Sequence, residues 1–292
     1  MVRNVAPLMA DLEEHDFYLL SGVEHGMRFG KWVDQRKLPE FSGLDPQEIE
    51  YRIDRCMDFE LIEQQTIQYR GYRLRFEGYD ALALRAFSER GTIDAVGAPL
   101  GEGKESDVFE ARGTETVAIK FHREGVTNFR EVQREREYTA EHAHRSWMYT
   151  ARKAAEREYA VLEDLTPGVS VPKPIDQNRH AIVMERMSGI QLARADLSAS
   201  NPRIVYDRIV HELAATHAAG YVHTDISEYN IVISDSSVTI FDWPQAVSLE
   251  HPNAEEFLDR DVSNLRSFFE RKYPREFADF PDHQTTIDDI CQ

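Results

Sequence analysis

The sequence predicts an α+β protein in two parts: an N-terminal unit of helices with a small hairpin, then a larger domain that opens with strands. Two observations carry this prediction. Over residues 1–91, helical patterns precede a pair of short strand-like runs, whereas from residue 92 onward strand-like runs come first and helical patterns follow. We therefore expect domains over residues 1–91 and 92–292.

Composition indicates a folded protein. The chain has 292 residues, 41% hydrophobic and 10% aromatic, which is enough for a substantial core. Cys56 and Cys291 are too few for a disulfide framework, and no apolar run reaches the roughly 18 residues that a membrane span needs. Asp11, Glu13 and Glu14 interrupt any signal-peptide core. These features predict a cytoplasmic protein with no membrane partner.

The charge is strongly acidic, with 52 acidic and 34 basic residues and a net charge of −18. Only seven of the basic residues are lysines. Such a surface repels nucleic acid in dilute buffer but stays soluble in concentrated salt, where the Debye length falls to about 3 Å at 1 M. The bias is similar to that of proteins from halophilic archaea, whatever their function. It therefore argues only weakly against an RNA partner.

The first unit resembles a winged helix-turn-helix because its helices are followed by a hairpin. Asp45 and Pro46 predict an N-cap and a proline at the first helical position, and Glu48 is placed as in a capping box. The expected elements are helices over Phe17–Phe29, from Pro46 through Phe59 and over Asp80–Arg90, and strands at Leu61-Ile62 and Tyr72–Phe76.

The hairpin of this unit carries three arginines, Arg70, Arg73 and Arg75, that are candidates for nucleic-acid phosphate contacts. Two observations oppose that reading. The helix expected to face a nucleic acid exposes the acidic residues Glu48, Glu50, Asp54 and Asp58, and residues 1–95 hold 12 basic against 18 acidic residues. Docking of a protein, or a purely structural role, therefore remains open for this unit.

A glycine-rich stretch and a lysine-bearing strand open the second unit. After the strand-like run Ile93–Leu100, glycines let main-chain N–H groups approach phosphate oxygens, and a serine hydroxyl adds a donor. Val117–Lys120 then reads VAIK, the strand context in which kinases place the lysine that grips the α and β phosphates. The alternative for this lysine is an ordinary position at a strand end. The predicted nucleotide contacts here are Gly101, Gly103, Lys104, Ser106, Val108 and Lys120.

A helix over Ser146–Leu165 supplies a carboxylate for that lysine. Glu158 falls in its apolar stripe, whereas Glu156 points roughly the other way. A buried carboxylate needs a cation, and Lys120 is the candidate; the alternative places Glu158 at the edge of the stripe, reaching outward. The densely charged segment His122–Arg145 between them is interpreted as a loop or helix at the mouth of the nucleotide site, or as a solvated charged helix.

The next strand predicts an adenine site. Val171-Pro172-Lys173-Pro174 cannot lie inside a helix and leads into the apolar strand His180–Glu185. In a kinase arrangement this strand enters the hinge between the lobes. The main chain of Met184, Glu185 and Met187 would then face adenine, with Met187 and Ile190 lining it. A helix over Val205–Ala219, ended by Gly220, delivers the chain to the next motif.

That motif is HTDISEYN, His223–Asn230, with Asp242 following a β-rich run downstream. Phosphoryl transfer needs a carboxylate that orients the attacking hydroxyl or water, and oxygen ligands that hold magnesium on the nucleotide phosphates. Asp225 fits the first role. Asn230, five positions later, has the spacing of the metal-binding Asn in kinase catalytic loops, and Asp242 would be the second metal ligand. The alternative is a turn whose side chains only bond nearby backbone.

Taken together, these motifs resemble a RIO-type atypical protein kinase. They are GEGKESDVFEA, VAIKFHREG, SWMYTARKAAEREY, AIVMERMSG, HTDISEYNIVI, IFDWPQAV and HPNAEEFLDRDVSNLRSFF. The earlier HDFYLLSGVEHGMR and YRGYRLRFEGYDALALRAF resemble the winged-helix domain of the type 2 subfamily. The resemblance spans nearly the whole chain and implies a compact two-lobed protein-kinase-like domain behind the winged helix, with lobes over about 92–185 and 186–292.

It further implies serine/threonine kinase or ATPase activity with ATP and Mg2+, Mn2+ being a second option, in maturation of the small ribosomal subunit. The pre-small subunit, through its RNA or proteins, is the implied partner. Family roles fall on Ser106 and Lys120 for phosphates, Glu158 for pairing Lys120, Asp225 as the catalytic Asp, and Asn230 with Asp242 for metal. In the family the metal-loop Asp can itself accept phosphate. Asp242 is followed by no Ala-Pro-Glu segment, so an ATPase-type switch is expected rather than a broad protein kinase.

Two other functions stay open at this point. Trp243 in IFDWP departs from the family pattern, and similar endings occur in aminoglycoside and choline phosphotransferases, which gives a small-molecule kinase. The winged-helix-like front domain argues against it. The third reading is a nucleic-acid-binding regulator whose kinase-like lobe binds ATP without turnover.

Overall fold

The computed structural model describes residues 2–103, 105–123, 147–197, 201–235 and 237–292. Two compact units divide the chain. The first comprises Met1–Ala155 with Asp176–Val183, and the second comprises Glu156–Ile175 with Met184–Gln292. Most of the segment His122–Arg145, which was expected at the mouth of the nucleotide site, lies outside the described residues. Lys104, an expected phosphate contact, also lies outside them.

The first unit begins with five helices and a three-stranded antiparallel sheet of order β1-β3-β2. The predicted winged helix-turn-helix fold is confirmed, although β1 was not predicted because its two residues are too few to show an alternating pattern. The elements are α1 (Val2–Leu8), α2 (Glu14–Gly26), α3 (Leu38–Ser42), α4 (Pro46–Asp58), α5 (Phe76–Glu89), β1 (Val33–Asp34), β2 (Ile62–Gln65), β3 (Gly71–Leu74) and the 3-10 turn Gln35–Lys37.

Two local predictions in this unit are wrong. Asp45 is the N-cap of α4 and Pro46 its first residue, as predicted, but the capping box does not form: the Asp45 side chain bonds no N–H, and Glu48 bonds to Arg52 (2.6 Å) and His15 (3.0 Å), which leaves it only partly exposed. The nearby basic side chains compete successfully for this carboxylate. Helix α5 begins at Phe76, four residues before the expected Asp80, because β3 ends at Leu74.

A five-stranded sheet of order β4-β5-β6-β8-β7 completes the strand-rich part of the chain. Its strands are β4 (Ala95–Glu102), β5 (Ser106–Arg112), β6 (Thr116–His122), β7 (Pro174–Asn178) and β8 (Ala181–Glu185), and α6 (Trp147–Leu165) precedes β7. Buried side chains of α5, such as Tyr79, belong to the same hydrophobic core as Phe109 and Phe121 of the sheet. The first unit thus has one core across residue 91, and the domain boundary expected there stays a prediction.

The second unit is mainly helical and has its own core, which includes Tyr206, Leu213, Trp243 and Phe269. Gly220 has φ of +91°, a left-handed conformation that favours glycine, so the predicted end of α7 is confirmed. The elements are α7 (Pro202–Ala218), α8 (Ala254–Lys272), α9 (His283–Cys291), β9 (Ile190–Gln191), β10 (Tyr221–Val222), β11 (Ile231–Ile233), β12 (Val238–Ile240), β13 (Val247–Ser248) and the 3-10 turn Glu276–Asp279.

Within the described ranges, no helix combines the length and apolar character that crossing a membrane requires.

Candidate active site

The loop after β10 brings Asp225 and Asn230 together. The side-chain Nδ2 of Asn230 donates to the main-chain oxygen of Asp225 (2.8 Å) and to its Oδ2 (3.3 Å). Asn230 is buried, whereas the Asp225 side chain is exposed and can meet a substrate. The five-residue spacing read from the sequence therefore produces a direct contact that holds the Asp225 carboxylate from one side.

Pairing of β11 with β12 brings Asp242 to the same place. Ile231 lies opposite Ile240, and the next step of the ladder joins the Phe241 N–H to the Asn230 carbonyl oxygen at 3.0 Å. Asp242 follows Phe241 directly and leaves the strand with φ of +73°. This conformation is uncommon outside glycine, though Asp adopts it more readily than most residues. Asn230 and Asp242 therefore lie at one end of a two-stranded hairpin.

These residues fit a magnesium site of the kind that is completed by a nucleotide. Because the Asn230 amide nitrogen faces Asp225, its Oδ1 is the atom left to bind a cation. Asp242 adds a half-buried carboxylate. Mg2+ takes one or two protein oxygens together with substrate phosphates, and does not need a dedicated cage. Among the residues described, no group of three or more His, Cys, Asp or Glu side chains suited to a metal occurs.

Thr224, next to Asp225, is held in a strained conformation. Its φ is +71°, a region that β-branched residues rarely enter and that costs about 1–3 kcal/mol. Its N–H donates to Asp261 Oδ2 (2.7 Å), its Oγ1 donates to the Gln245 carbonyl oxygen (3.0 Å), and its own carbonyl accepts from Arg260. These contacts fix the backbone from which the Asp225 side chain projects.

Asp261 is a residue of this site that sequence reasoning missed. It is buried on α8 and accepts N–H groups on both sides of Asp225, from Thr224 (2.7 Å) and from Ile226 (3.0 Å). Burial raises its pKa to about 6, despite these two hydrogen bonds. A signal existed: Asp261 interrupts the apolar positions Leu258, Val262 and Leu265 of α8, as Glu158 does in α6.

His223 links the Asp225 loop to the strand that carries Asp242. Its Nε2 lies 3.1 Å from the Phe241 carbonyl oxygen, and its Nδ1 accepts the Asp225 N–H at 3.3 Å. This pattern requires a neutral ring protonated on Nε2. Burial lowers the pKa of His223, which favours the same neutral form. His223 therefore serves as a structural bridge behind the two aspartates.

Glu158 is buried, as its place in the apolar stripe predicted, with only 1% of its surface exposed. Its Oε1 accepts the main-chain N–H of Trp243 at 3.1 Å. Trp243 is itself fully buried, donates from Nε1 to the Ile240 oxygen (3.0 Å), and packs against the His223 ring. Glu158 thus holds the residue after Asp242. Its pairing with Lys120 stays a prediction.

Four of the predicted phosphate-binding residues, Gly101, Ser106, Val108 and Lys120, lie on the β4-β5-β6 ladder. Lys120 is buried and lies opposite Val108, two residues before the end of β6 and not at the strand end as expected. Gly101 also lies opposite Val108, on β4. Ser106 begins β5, and its carbonyl oxygen accepts the Gly103 N–H at 2.9 Å. This bond closes the turn between the two strands.

The predicted adenine-binding segment follows β8. Met184 is buried, Met187 is half-buried, and Glu185 and Ile190 are exposed. The Glu185 N–H is already bonded to the Lys173 carbonyl oxygen (2.8 Å), so it does not offer adenine a donor. The other contacts expected from this segment stay predictions.

The three arginines of the predicted hairpin, which β2 and β3 form, differ in their surroundings. Arg73 pairs with Glu63 (2.5 Å) and lies over the Trp32 ring, and Arg75 lies 3.4 Å from Glu77. Arg70 is exposed. A nucleic-acid phosphate would therefore compete with acidic partners at Arg73 and Arg75, which leaves Arg70 as the better candidate.

Comparison with known proteins gives concordant results along the chain. Residues 107–282 match the RIO domain, and residues 9–90 match the Rio2 N-terminal domain. The chain is 39% identical to the RIO-type serine/threonine-protein kinase Rio2 of Methanocaldococcus jannaschii, covering 91% of this chain and 98% of that protein. It is 35% identical to the serine/threonine-protein kinase RIO2 of Caenorhabditis elegans, where it spans 96% of this chain but only 54% of the relative.

A solved structure is also similar. The crystal structure of the Rio2 kinase from Chaetomium thermophilum, in a complex of ADP, Mg2+ and phosphoaspartate, superposes with a TM-score of 0.84. The two sequences are 30% identical, and the match covers 98% of this chain and 89% of that one.

Proposed function

The chain belongs to the RIO family of serine/threonine-protein kinases and carries a Rio2 N-terminal domain, and we propose that it transfers the γ-phosphoryl group of ATP during maturation of the small ribosomal subunit. ATP and Mg2+ are its cofactors, with Mn2+ as a substitute metal. The observation that carries the proposal is the contact of Asn230 with Asp225, beside the hairpin end where Asp242 lies. The C. thermophilum Rio2 complex with ADP and Mg2+ supports the choice of cofactors.

Each residue then has a definite task. Asp225, exposed and fixed through Asn230, orients the attacking hydroxyl or water and accepts its proton. Asn230 Oδ1 and the Asp242 carboxylate would hold the metal, which would neutralise charge on the phosphates. Lys120, Ser106, Gly101 and the turn at Gly103 would hold the phosphates themselves, and Lys104 and Val108 remain predicted contacts. Glu158 keeps Lys120 charged and oriented, and Met184, Glu185 and Met187 lie against adenine.

Asp242 has a second proposed role, as a phosphate acceptor. Its carboxylate oxygen would bond to the γ-phosphorus as the bond between that phosphorus and the β–γ bridging oxygen breaks, releasing ADP. Water would then attack the phosphorus, return the carboxylate and release inorganic phosphate. The phosphoaspartate in the C. thermophilum Rio2 crystal structure supports this route. An enzyme that cycles in this way is an ATPase-type switch, consistent with assembly work on a ribosomal particle.

The proposed partner is the pre-small ribosomal subunit, met in the cytoplasm. We retain residues 1–91 as the domain that meets its RNA or proteins, with Arg70 as the best-placed phosphate contact and Arg73 and Arg75 as secondary ones. Glu50, Asp54 and Asp58 remain exposed on α4, so a basic protein surface is the alternative target of this domain. The small-molecule phosphotransferase and the non-catalytic regulator gain no support, since the relatives named above are serine/threonine-protein kinases.

The test is phosphate release and protein labelling from radiolabelled ATP and Mg2+ in molar KCl, with and without small ribosomal subunits. Wild type should turn over faster with subunits, and Asp225→Ala should lose turnover in both conditions. Asp235→Ala, which removes an exposed carboxylate at the far end of the β11–β12 hairpin, is the matched control and should behave as wild type. Base-labile label on the protein would identify the Asp242 acyl phosphate. Equal turnover of wild type and Asp225→Ala would contradict the assignment.

A further inference from the structure

A buried ionic cluster joins the N-terminal domain to the strands of the proposed phosphate site. Asp80 on α5 has none of its surface exposed and accepts both arms of the Arg123 guanidinium, Nη1 to Oδ1 (2.7 Å) and Nη2 to Oδ2 (2.8 Å). Asp80 Oδ1 also lies 2.7 Å from His180 Nε2. This cluster has no role in the chemistry assigned above. Asp80 lies in the predicted N-terminal domain, residues 1–91, whereas Arg123 lies in the predicted kinase-like domain, residues 92–292.

Arg123 holds the end of the β5–β6 hairpin in two ways. Its main-chain N–H donates to the Glu105 carbonyl oxygen (2.7 Å), and its Nε donates to Asp107 Oδ2 (2.8 Å). Glu105 and Asp107 flank Ser106, the residue proposed to donate a hydroxyl to the nucleotide phosphates. One arginine therefore fixes both neighbours of Ser106 while its guanidinium is fixed by Asp80.

The geometry makes Asp80 the determinant of where Arg123 sits. A guanidinium presents its donors in a rigid fork, so bidentate binding by one carboxylate sets the plane and direction of the group. Arg123 also lies over the rings of Phe76 (5.2 Å) and Phe121 (5.5 Å), which restricts it further. Because the group is buried, loss of the Asp80 charge would leave Asp107 as its remaining acidic partner and would remove the carboxylate that fixes its two Nη atoms.

We propose that Asp80 and Arg123 are positioning residues for nucleotide binding, through which helix α5 of the N-terminal domain sets the conformation of the backbone around Ser106. This inference rests on the proposed function, because it assumes that Ser106 and the Gly103 turn hold the nucleotide phosphates. It goes further by making the N-terminal domain part of the nucleotide site. A change in α5 would therefore alter nucleotide affinity without touching any residue that contacts the nucleotide.

The test compares two buried aspartates of the N-terminal domain. Asp80→Asn removes the charge with little change in shape. Asp16→Asn is the matched control, since Asp16 is equally buried and pairs with Arg52 (3.2 Å) and Arg55 (3.1 Å), but has no link to β5 or β6. For each full-length variant, the measurements are the melting temperature, the Kd for MgADP by calorimetry, and hydrogen exchange of the Gly103 and Arg123 amides without nucleotide.

We expect both variants to melt earlier, but only Asp80→Asn to weaken MgADP binding, by about tenfold, the scale of a small misplacement in a binding site. The same variant should speed exchange at Gly103 and Arg123, and Asp16→Asn should not. Nucleotide affinity at the wild-type level in Asp80→Asn, or equal weakening in both variants, would overturn the inference. If Asp80→Asn does not fold, Arg123→Lys takes its place, because a lysine cannot bridge two carboxylates with a fixed fork.

The two proposals fail differently. A wild-type chain that binds no MgADP or MgATP would overturn the proposed function and this inference with it. A wild-type chain that binds nucleotide, beside an Asp80→Asn variant that binds equally well, would overturn this inference alone. Hydrogen exchange measured without nucleotide tests the link from Asp80 to the Ser106 backbone in either case.

Discussion

The Asn230 side chain is bonded to Asp225 through its amide nitrogen, at 2.8 Å to the main-chain oxygen and 3.3 Å to Oδ2. In the proposed function this amide has two tasks: its nitrogen orients the carboxylate that would receive the substrate proton, and its oxygen is left for the metal. On that proposal, proton transfer and metal binding are coupled through a single residue.

The substitution Asn230→Asp should separate the two proposed tasks of this residue, orienting Asp225 and binding the metal. The new carboxylate retains an oxygen for the metal but replaces the donor with an acceptor facing Asp225, so the two carboxylates repel. We expect turnover to fall about 100-fold or more, the range for removing a group that positions catalytic machinery, while Mg2+ still supports nucleotide binding. The measurement is kcat against Mg2+ concentration, with the exposed Asn253→Asp as control. Unchanged kcat would show that the Asn230 contact has no catalytic consequence.

Two Glu158 variants should distinguish the hydrogen bond that Glu158 accepts from the Trp243 N–H from its predicted ion pair with Lys120. Glu158→Gln keeps an oxygen for the Trp243 N–H and removes the charge, so we expect a near wild-type melting temperature and turnover about 10- to 100-fold lower. Glu158→Ala leaves that buried N–H without its acceptor and should cost a further 1–3 kcal/mol, roughly, of unfolding free energy. The measurements are turnover and denaturant unfolding for both variants. A Glu158→Gln enzyme with full activity would contradict the predicted pairing with Lys120.

Asp261 gives a pH dependence of stability. Its folded pKa of about 6 lies above the ordinary value of 3.8. The folded state therefore binds the proton more tightly than the unfolded state, and stability from this group is present below pH 4 and lost as pH rises through about 6. Two pKa units correspond to about 3 kcal/mol as an order of magnitude. We expect the unfolding free energy of wild type minus that of Asp261→Asn to fall across this window. A constant difference would contradict the prediction.

His180 should make stability depend on pH in the opposite direction. Burial lowers its pKa to about 4 from 6.5, although Asp80 favours the protonated form. The unfolded chain therefore takes up the proton first as pH falls, and stability rises with pH between about 4 and 6.5. The unfolding free energy of wild type minus that of His180→Gln should therefore rise with pH across this window, by about 3 kcal/mol as an order of magnitude. Between pH 7 and 8 the difference should be flat, which is the internal control. A slope of the other sign would exclude a neutral buried His180.

Short-range patterns predicted most of the site. Asp225, Asn230 and Asp242 lie within 18 residues, where motif spacing and one hairpin determine their contacts. Helical periodicity alone predicts that Glu158 lies in the apolar stripe of α6. The winged helix-turn-helix was likewise predictable from the order of helical and strand patterns, whereas the kinase-like fold was predicted from the resemblance of several motifs to one family.

Contacts that join distant segments were not predictable. Asp261 contacts Thr224 and Ile226 across 37 and 35 residues, and no local pattern identifies its partners. Arg123 was placed in a charged surface segment because its neighbours are charged, yet Asp80, 43 residues earlier, draws it into the interior. The capping box expected at Asp45 fails for the same reason, because Glu48 bonds to His15, 33 residues earlier, as well as to Arg52.

The most direct test of the central claim is ATP turnover by Asp225→Ala measured beside its MgATP binding, in molar KCl. We predict that the variant binds MgATP as wild type does and hydrolyses it at least about 100-fold more slowly, because in the proposed function Asp225 acts on the attacking group rather than on the metal or the nucleotide. Wild-type turnover in Asp225→Ala would contradict the assignment of the catalytic carboxylate.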